Sequence, residues 1–442
     1  MRQMSSDIRS KPDWVETIND ADTRAGWATE AKAKELADVE FAYVLDKLVY
    51  YASLHPPGSN VRLSAADGVW FSDMLIDSET TNKFKDYAAI LESIPDRQKD
   101  WYPNDRSRVL NLIDPPLFPL IYGRLKLCRQ AGISPQAALK LGEASEFPGS
   151  LDEWHKALHV AGSELDYYLP TGDWRCFTYI SNEFSWLLSE FRVDDNGAVT
   201  IESYINNLHL IKYAALYPII ARVLSKFLPL LEHVVTDLAH PRQPRVIPDR
   251  DKYYKSDEPL PNHEGGNYYE ELILWKSRVT FVYPQPEPLV VPARPVNPYK
   301  PSEQQHQTIV TMANIELASK RPIYGGEDWS VAGLANERII TTGIFFYDVA
   351  NTAPTSLRFH EALFSLDFEV KQYDIESIVK AYGIERDKLV EGDPVFVHQF
   401  KVPELKLADK TKPGHCKMPP LYFVHPSTRI PSTEIVPPQQ QD

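Results

Sequence analysis

Cysteine is scarce in this chain: Cys128, Cys176 and Cys416 are the only three in 442 residues. Their spacing supports neither a disulfide framework nor a zinc cluster. Long apolar runs are missing too, since no stretch approaches the ~18 residues a bilayer-spanning helix requires. The start, Met1-Arg2-Gln3-Met4-Ser5-Ser6-Asp7, lacks the apolar segment of a secretory signal. These absences lead us to expect a reduced, cytoplasmic protein with no membrane partner. Positive charge is also in short supply: 47 Lys and Arg against 61 Asp and Glu leave a net charge of −14. That balance argues against a generic nucleic-acid binder, whose footprint is a basic patch on a basic domain. Basic residues gather only locally, at Arg124, Lys126 and Arg129 and at Lys410, Lys412, His415 and Lys417. Solvated faces of ordinary elements account for most such runs.

What is present divides the chain into three. Residues 1–240 read as mainly helical. Leu36, Val39, Val44, Leu45, Leu48 and Tyr51 recur at near-helical spacing before Pro56-Pro57-Gly58. The clearest helix is predicted from Tyr217 to Leu238, with Pro218 in its first turn and Ile219, Val223, Phe227, Leu231, Val234 and Leu238 along one side. A hairpin is expected within 184–207, turned at Asp194-Asp195-Asn196-Gly197. Residues 241–301 hold 12 of the 36 prolines, a density that blocks helix interiors and central strands. They read as an extended segment with one ordered piece around Tyr268–Trp275. From 302 to 442 the pattern becomes short β-branched and aromatic runs between Gly, Pro and Asp/Asn turns, as in a barrel or jelly roll.

Six blocks suggest a relationship. They are Lys11-Pro12-Asp13-Trp14, Lys99-Asp100-Trp101-Tyr102-Pro103, Leu117 to Arg124, Ser203-Tyr204-Ile205-Asn206-Asn207-Leu208-His209, Gly325 to Gly343, and Thr411-Lys412-Pro413-Gly414-His415. In this order they resemble the fungal family known as domain of unknown function 4246. That resemblance implies an α+β fold, with a helical N-terminal part packed on a C-terminal double-stranded β-helix of the 2-oxoglutarate-oxygenase type. Such an oxygenase holds iron with two histidines and a carboxylate, and a basic residue on a late strand takes the co-substrate's distal carboxylate. The family's Gly-Gly-Ser-Trp-His-x-Glu-Gly becomes Trp329-Ser330-Val331-Ala332-Gly333 here, so Ser330 and Ala332 stand where the first two metal ligands belong. The distal histidine position is kept as His398. The basic pair after Gly-His reads Cys416-Lys417.

A hydroxyl and a methyl do not replace an imidazole and a carboxylate, so neither metal nor cofactor is expected. A subset of the family resembles the arginine-containing cyclodipeptide synthases, which condense arginyl-tRNA with a second aminoacyl-tRNA. Aminoacyl esters are already activated, so catalysis needs close positioning, a base for the incoming amine and donors for the oxyanion. Arginine selection adds a carboxylate that binds guanidinium in a fork. His398, Ser330 and Glu337 are the catalytic candidates, and Asp328, Trp329, Arg338, Asp374, Glu376 and Lys417 the substrate-binding ones. Cys416 is a further possible acyl acceptor. The Asp-Asp-x-x-Glu signature of that subset does not occur; the nearest acidic piece is Asp374-Ile375-Glu376. An iron/2-oxoglutarate oxygenase and a catalytically inactive scaffold stay open as alternatives. His209 is expected to be structural.

Overall fold

A computed structural model describes residues 1–55, 58–102, 108–124, 126–128, 144–146, 181, 183–240, 254–255, 258–259, 261, 267–281, 286, 288–291, 298–326, 332–355, 357–360, 399–401 and 404–438. Its helices include α1 (Arg2–Arg9), α2 (Ala21–Ala33), α3 (Asp38–Ser53), α4 (Ser78–Glu92), α5 (Tyr217–Ala239) and α6 (Tyr268–Arg278). The main strands are β1 (Asp100–Trp101), β2 (Val109–Ile113), β3 (Ser189–Val193), β4 (Val199–Ile201), β5 (Gln305–Val310), β6 (Met312–Leu317), β7 (Ile339–Ile344), β8 (Asp348–Ala350), β9 (Gly414–Met418) and β10 (Pro420–Val424). The chain folds into two compact units. The first comprises Met1–Val69, His240–Arg294 and His360–Gln399, and the second Trp70–Ala239, Pro295–Phe359 and Phe400–Asp442.

The first unit is mainly helical where it is described, with a short antiparallel pair of Tyr254–Lys255 and Thr280–Phe281. Asp20 starts α2 by accepting from the Thr23 amide at 2.8 Å, which satisfies one of the donors a helix start leaves open. Met4 and Ile8 of α1 and Leu48 and Tyr51 of α3 are fully buried. A cation is built into this core. The Arg9 guanidinium lies 4.0 Å from the Tyr51 ring centroid and 3.1 Å from Asp67, whose carboxylate also accepts from the Tyr51 hydroxyl at 2.8 Å. Burial of Arg9 is tolerable because its charge is both paired and stacked.

The second unit contains two five-stranded antiparallel sheets, ordered β4-β3-β5-β10-β7 and β8-β9-β6-β2-β1. The chain passes between them at Thr311, at Pro419 and at residues 345–347. Thr311 ties two of these corners together, its amide and hydroxyl reaching the Pro420 carbonyl at 3.1 and 2.7 Å. On the first sheet, Phe191, Val310, Leu421 and Phe423 face α5 and meet its Val223, Phe227 and Leu231. Gly343 permits this approach, because a Cβ there would lie 2.7 Å from the Phe227 ring. The other face buries Ile309 and Val424 against Leu187, Leu188, Ile430 and Val436.

Helix α4 starts at Asp77, whose carboxylate accepts from the Thr80 amide at 2.7 Å, and it buries Phe84, Ala88 and Leu91. The buried stripe of α5 differs from the predicted one. Val223, Phe227 and Leu231 are buried, but the stripe continues through Ile220, Leu224 and Val235, while Leu238 is exposed. A strict four-residue step drifts around a 3.6-residue helix, so the buried line needs steps of three as well. Contrary to the expectation that no stretch approaches that length, the span Ala214–Ala239 is long and apolar enough to cross a membrane; here its apolar stripe packs on the sheets.

The α+β character expected from sequence is present. The described residues do not close a barrel, because each sheet keeps two edge strands. The sheets also draw on both sides of the proline-rich segment, since β1 to β4 come from the first 240 residues and pair with strands after 302. Within 241–301 the described helix, α6, falls where an ordered piece was expected.

Asp114 ends β2 just before a short 3-10 turn at Pro115–Leu117. Burial, with Asp100 nearby, pushes its carboxyl up to about 6. A folded-state value above the unfolded one means the group favours folding below about pH 4 and loses that contribution as pH rises through 6. Asp114→Asn should therefore raise unfolding free energy by about 1–2 kcal/mol at pH 7.5 and by nothing at pH 4. Urea titrations at the two pH values measure this, and equal effects at both would refute it.

Candidate functional site

Three of the motif blocks are linked in series, and one of them forms a turn. Gly333 to Arg338 leads into β7 through a single 3-10 turn at Ala335–Glu337. Asn336, buried within it, donates to the Tyr122 hydroxyl at 2.7 Å and to the Ser181 carbonyl at 2.9 Å, and accepts from the Ser181 amide at 2.9 Å. From the Ser203–His209 block, Asn206 donates to the Phe118 carbonyl at 2.8 Å. Blocks around positions 120, 205 and 335 are thus joined by side-chain amides, each satisfying a buried polar group.

Glu337 is completely buried. One carboxylate oxygen accepts from the Trp186 amide at 2.8 Å and the other from the Leu334 amide at 2.5 Å. Burial nevertheless raises its pKa, outweighing those amide hydrogen bonds. Gly333 is required at the head of the turn. Its φ of +70° lies in the left-handed region, and a Cβ would come 2.7 Å from Ile339 and 3.2 Å from the Glu337 carboxylate. Burial likewise raises the Tyr122 phenol.

Arg338 leaves the turn in the left-handed region, with φ 52°. Its carbonyl accepts from the His425 amide at 3.0 Å, which starts the β7–β10 pairing. The side chain is half-buried, and burial lowers its pKa. Among the described residues no carboxylate or other acceptor meets the guanidinium.

Of the residues singled out from sequence, Glu337 and Arg338 are therefore neighbours in one turn. Lys417 is elsewhere, in β9 of the other sheet, on the face towards α4. Its ammonium lies 2.8 Å from both oxygens of Glu92, and Asn314 donates to the same carboxylate at 2.8 Å. Asp348, 3.9 Å from Lys417, pairs with Lys85 and His415 at 2.9 Å each. The Lys417 charge is held by the protein's own carboxylates, which leaves it poorly suited to capture a substrate. Ser330, Asp328, Trp329, Asp374, Glu376 and His398 lie outside the described residues. His209 does what a structural histidine does, its Nδ1 accepting from the Ile211 and Lys212 amides at 3.2 Å each.

Strand alternation sends Cys416 the opposite way from Lys417. It is buried with Val109, Ile315, Leu317, Tyr324, Leu405 and Met418, and burial pushes its thiol up to about 11. A thiol so protonated is a poor nucleophile, which corrects its standing as an acyl acceptor. Sequence reasoning did not single out Asn336 or Tyr122. Asn336 stood inside the Gly325–Gly343 block next to Glu337, and an amide beside a carboxylate after a glycine is a readable sign of a turn held by side chains.

The sequence profile of the family described as Protein of unknown function (DUF4246) matches residues 38–442. The chain belongs to the DUF4246 family. No curated protein and no solved structure matches it. The Tyr122–Asn336 and Asn206–Phe118 contacts link segments of this DUF4246 chain that lie 214 and 88 residues apart.

Proposed function

We propose that this DUF4246 protein is a metal-independent, tRNA-dependent aminoacyltransferase that makes an arginine-containing cyclic dipeptide on a jelly-roll scaffold of oxygenase type. The observation that carries the reading is Cys416. Where the resemblance calls for a basic residue to hold 2-oxoglutarate, a small side chain is packed in an apolar cluster. Ser330 and Ala332, in place of two metal ligands, agree with it. Non-redox chemistry on an activated ester needs neither group. The amine of one aminoacyl-tRNA attacks the ester carbonyl of the other; an amide C–N bond forms, the ester C–O bond breaks, and the amine proton leaves with the tRNA ribose hydroxyl. A second aminolysis closes the ring. His398 is the base in this scheme, with Asp328, Asp374 or Glu376 holding the arginine guanidinium.

A catalytically inactive scaffold is the second reading. It is favoured by the engagement of Glu337 and Lys417 with partners inside the protein. Expression in yeast with metabolite profiling separates the two. The aminoacyltransferase reading expects an arginine-containing diketopiperazine whose formation in lysate, supplied with arginine, a second amino acid and ATP, stops on adding ribonuclease. Product that persists after ribonuclease would end the tRNA-dependent mechanism, and absence of any product would favour the scaffold.

A further inference from the structure

We propose that Arg338 is an oxyanion-binding residue, whose guanidinium receives a phosphate or carboxylate group of a ligand that enters beside the Gly333–Arg338 turn. Three independent features lead there. The backbone at Arg338 is left-handed, φ 52°, a conformation that glycine or asparagine adopts at lower cost and that arginine keeps only when the surroundings hold it. The surroundings do hold it: Glu337 and Asn336 fasten the turn on one side, and the His425 amide fixes the Arg338 carbonyl on the other. The guanidinium itself, half-buried, has no acceptor among the described residues, whereas Arg9 has Asp67 and Lys417 has Glu92. A partly desolvated fork of donors left open on a rigid mount is what recognition of a planar or tetrahedral oxyanion requires.

A structural arginine would be paired, and a solvated one would not be half-buried. The burial that lowers its pKa also strengthens any anion contact, because the interaction is less screened. The inference goes beyond the aminoacyltransferase reading and does not depend on it. The shared chemistry is the oxyanion; its source is either the phosphodiester of an RNA acceptor end or the carboxylate of a small acid.

The test compares the full chain with Arg338→Gln and Arg338→Lys by thermal unfolding, alone and with inorganic phosphate, glutarate or a short RNA hairpin ending in CCA. Arg338→Gln should melt at or above the parent temperature, because an unpaired, partly desolvated charge has been removed. The parent should gain at least about 2 °C with one of the three probes. That gain should vanish in Arg338→Gln and be mostly lost in Arg338→Lys, which keeps charge without the fork. If the hairpin is the responding probe, the dependence of log affinity on log salt should be shallower by about one in Arg338→Gln. A response to glutarate alone would keep the proposal and count against aminoacyl-tRNA as the ligand. Two results would overturn it: a marked loss of stability in Arg338→Gln together with no anion response in the parent, or identical responses of parent and variant to every probe.

Discussion

Replacing Glu337 by Ala is expected to lower the unfolding free energy by about 3–5 kcal/mol, among the largest losses any single side chain here should give. The carboxylate accepts from the Trp186 and Leu334 amides in a site closed to water. Truncation leaves both donors buried without partners and opens a void beneath Gly333. Glu337→Gln should lose roughly half as much, because its one carbonyl oxygen replaces only one of the two acceptors. The deficit should also depend on pH. Burial raises the Glu337 pKa, so the folded state gains most from this group below the usual glutamate range and less as pH climbs through the raised value. The Ala variant should therefore fall further below the parent at pH 4 than at pH 8. Chemical denaturation at both values checks this. A Glu337→Ala protein as stable as the parent would free the carboxylate from its fastening role and return it to the catalytic candidates.

Cys416→Arg should be more damaging still. The resemblance to 2-oxoglutarate oxygenases invites this substitution as a repair, since a basic residue belongs at that position. The packing forbids it. An arginine there would bury a charge among Val109, Ile315, Leu317, Leu405 and Met418 and overfill a cluster that now holds a thiol. A cost above about 4 kcal/mol is expected, enough to leave little folded protein. Cys416→Val, similar in volume and apolar, should stay within about 1.5 kcal/mol of the parent. Circular dichroism and thermal melts of both variants decide the matter. A folded Cys416→Arg protein that binds 2-oxoglutarate would revive the oxygenase reading and remove the main support for aminoacyl transfer.

Local signals in the sequence translated well. Pro218 in a first helical turn announced α5, and Asp194 to Gly197 announced the β3–β4 turn. Pairing was not legible. Nothing in the composition of Val109–Ile113 says that β2 will lie beside β6, about two hundred positions later, because register is set by packing between distant segments. The same holds for the candidate site. Glu337 was visible as a carboxylate in a promising block, but its fastening to Trp186 depends on a segment 151 residues away. Lys417 looked available because Glu92, which holds it, is 325 residues distant in sequence. Arg338 was legible as a charge and illegible as an unpaired one.

The position of β10 has a consequence for how this protein is made. It is the last of the ten strands, yet it lies inside its sheet, hydrogen-bonded to β5 on one side and β7 on the other. During translation β2, β3 and β5 emerge long before the strands that complete their sheets. Their apolar faces and open edges must wait, at risk of pairing with other nascent chains. A premature stop anywhere before residue 420 removes the middle of a sheet rather than a dispensable end. Such truncated products should be cleared by proteolysis or recovered as aggregates, and dependence on chaperones should be greatest as the final strands leave the ribosome.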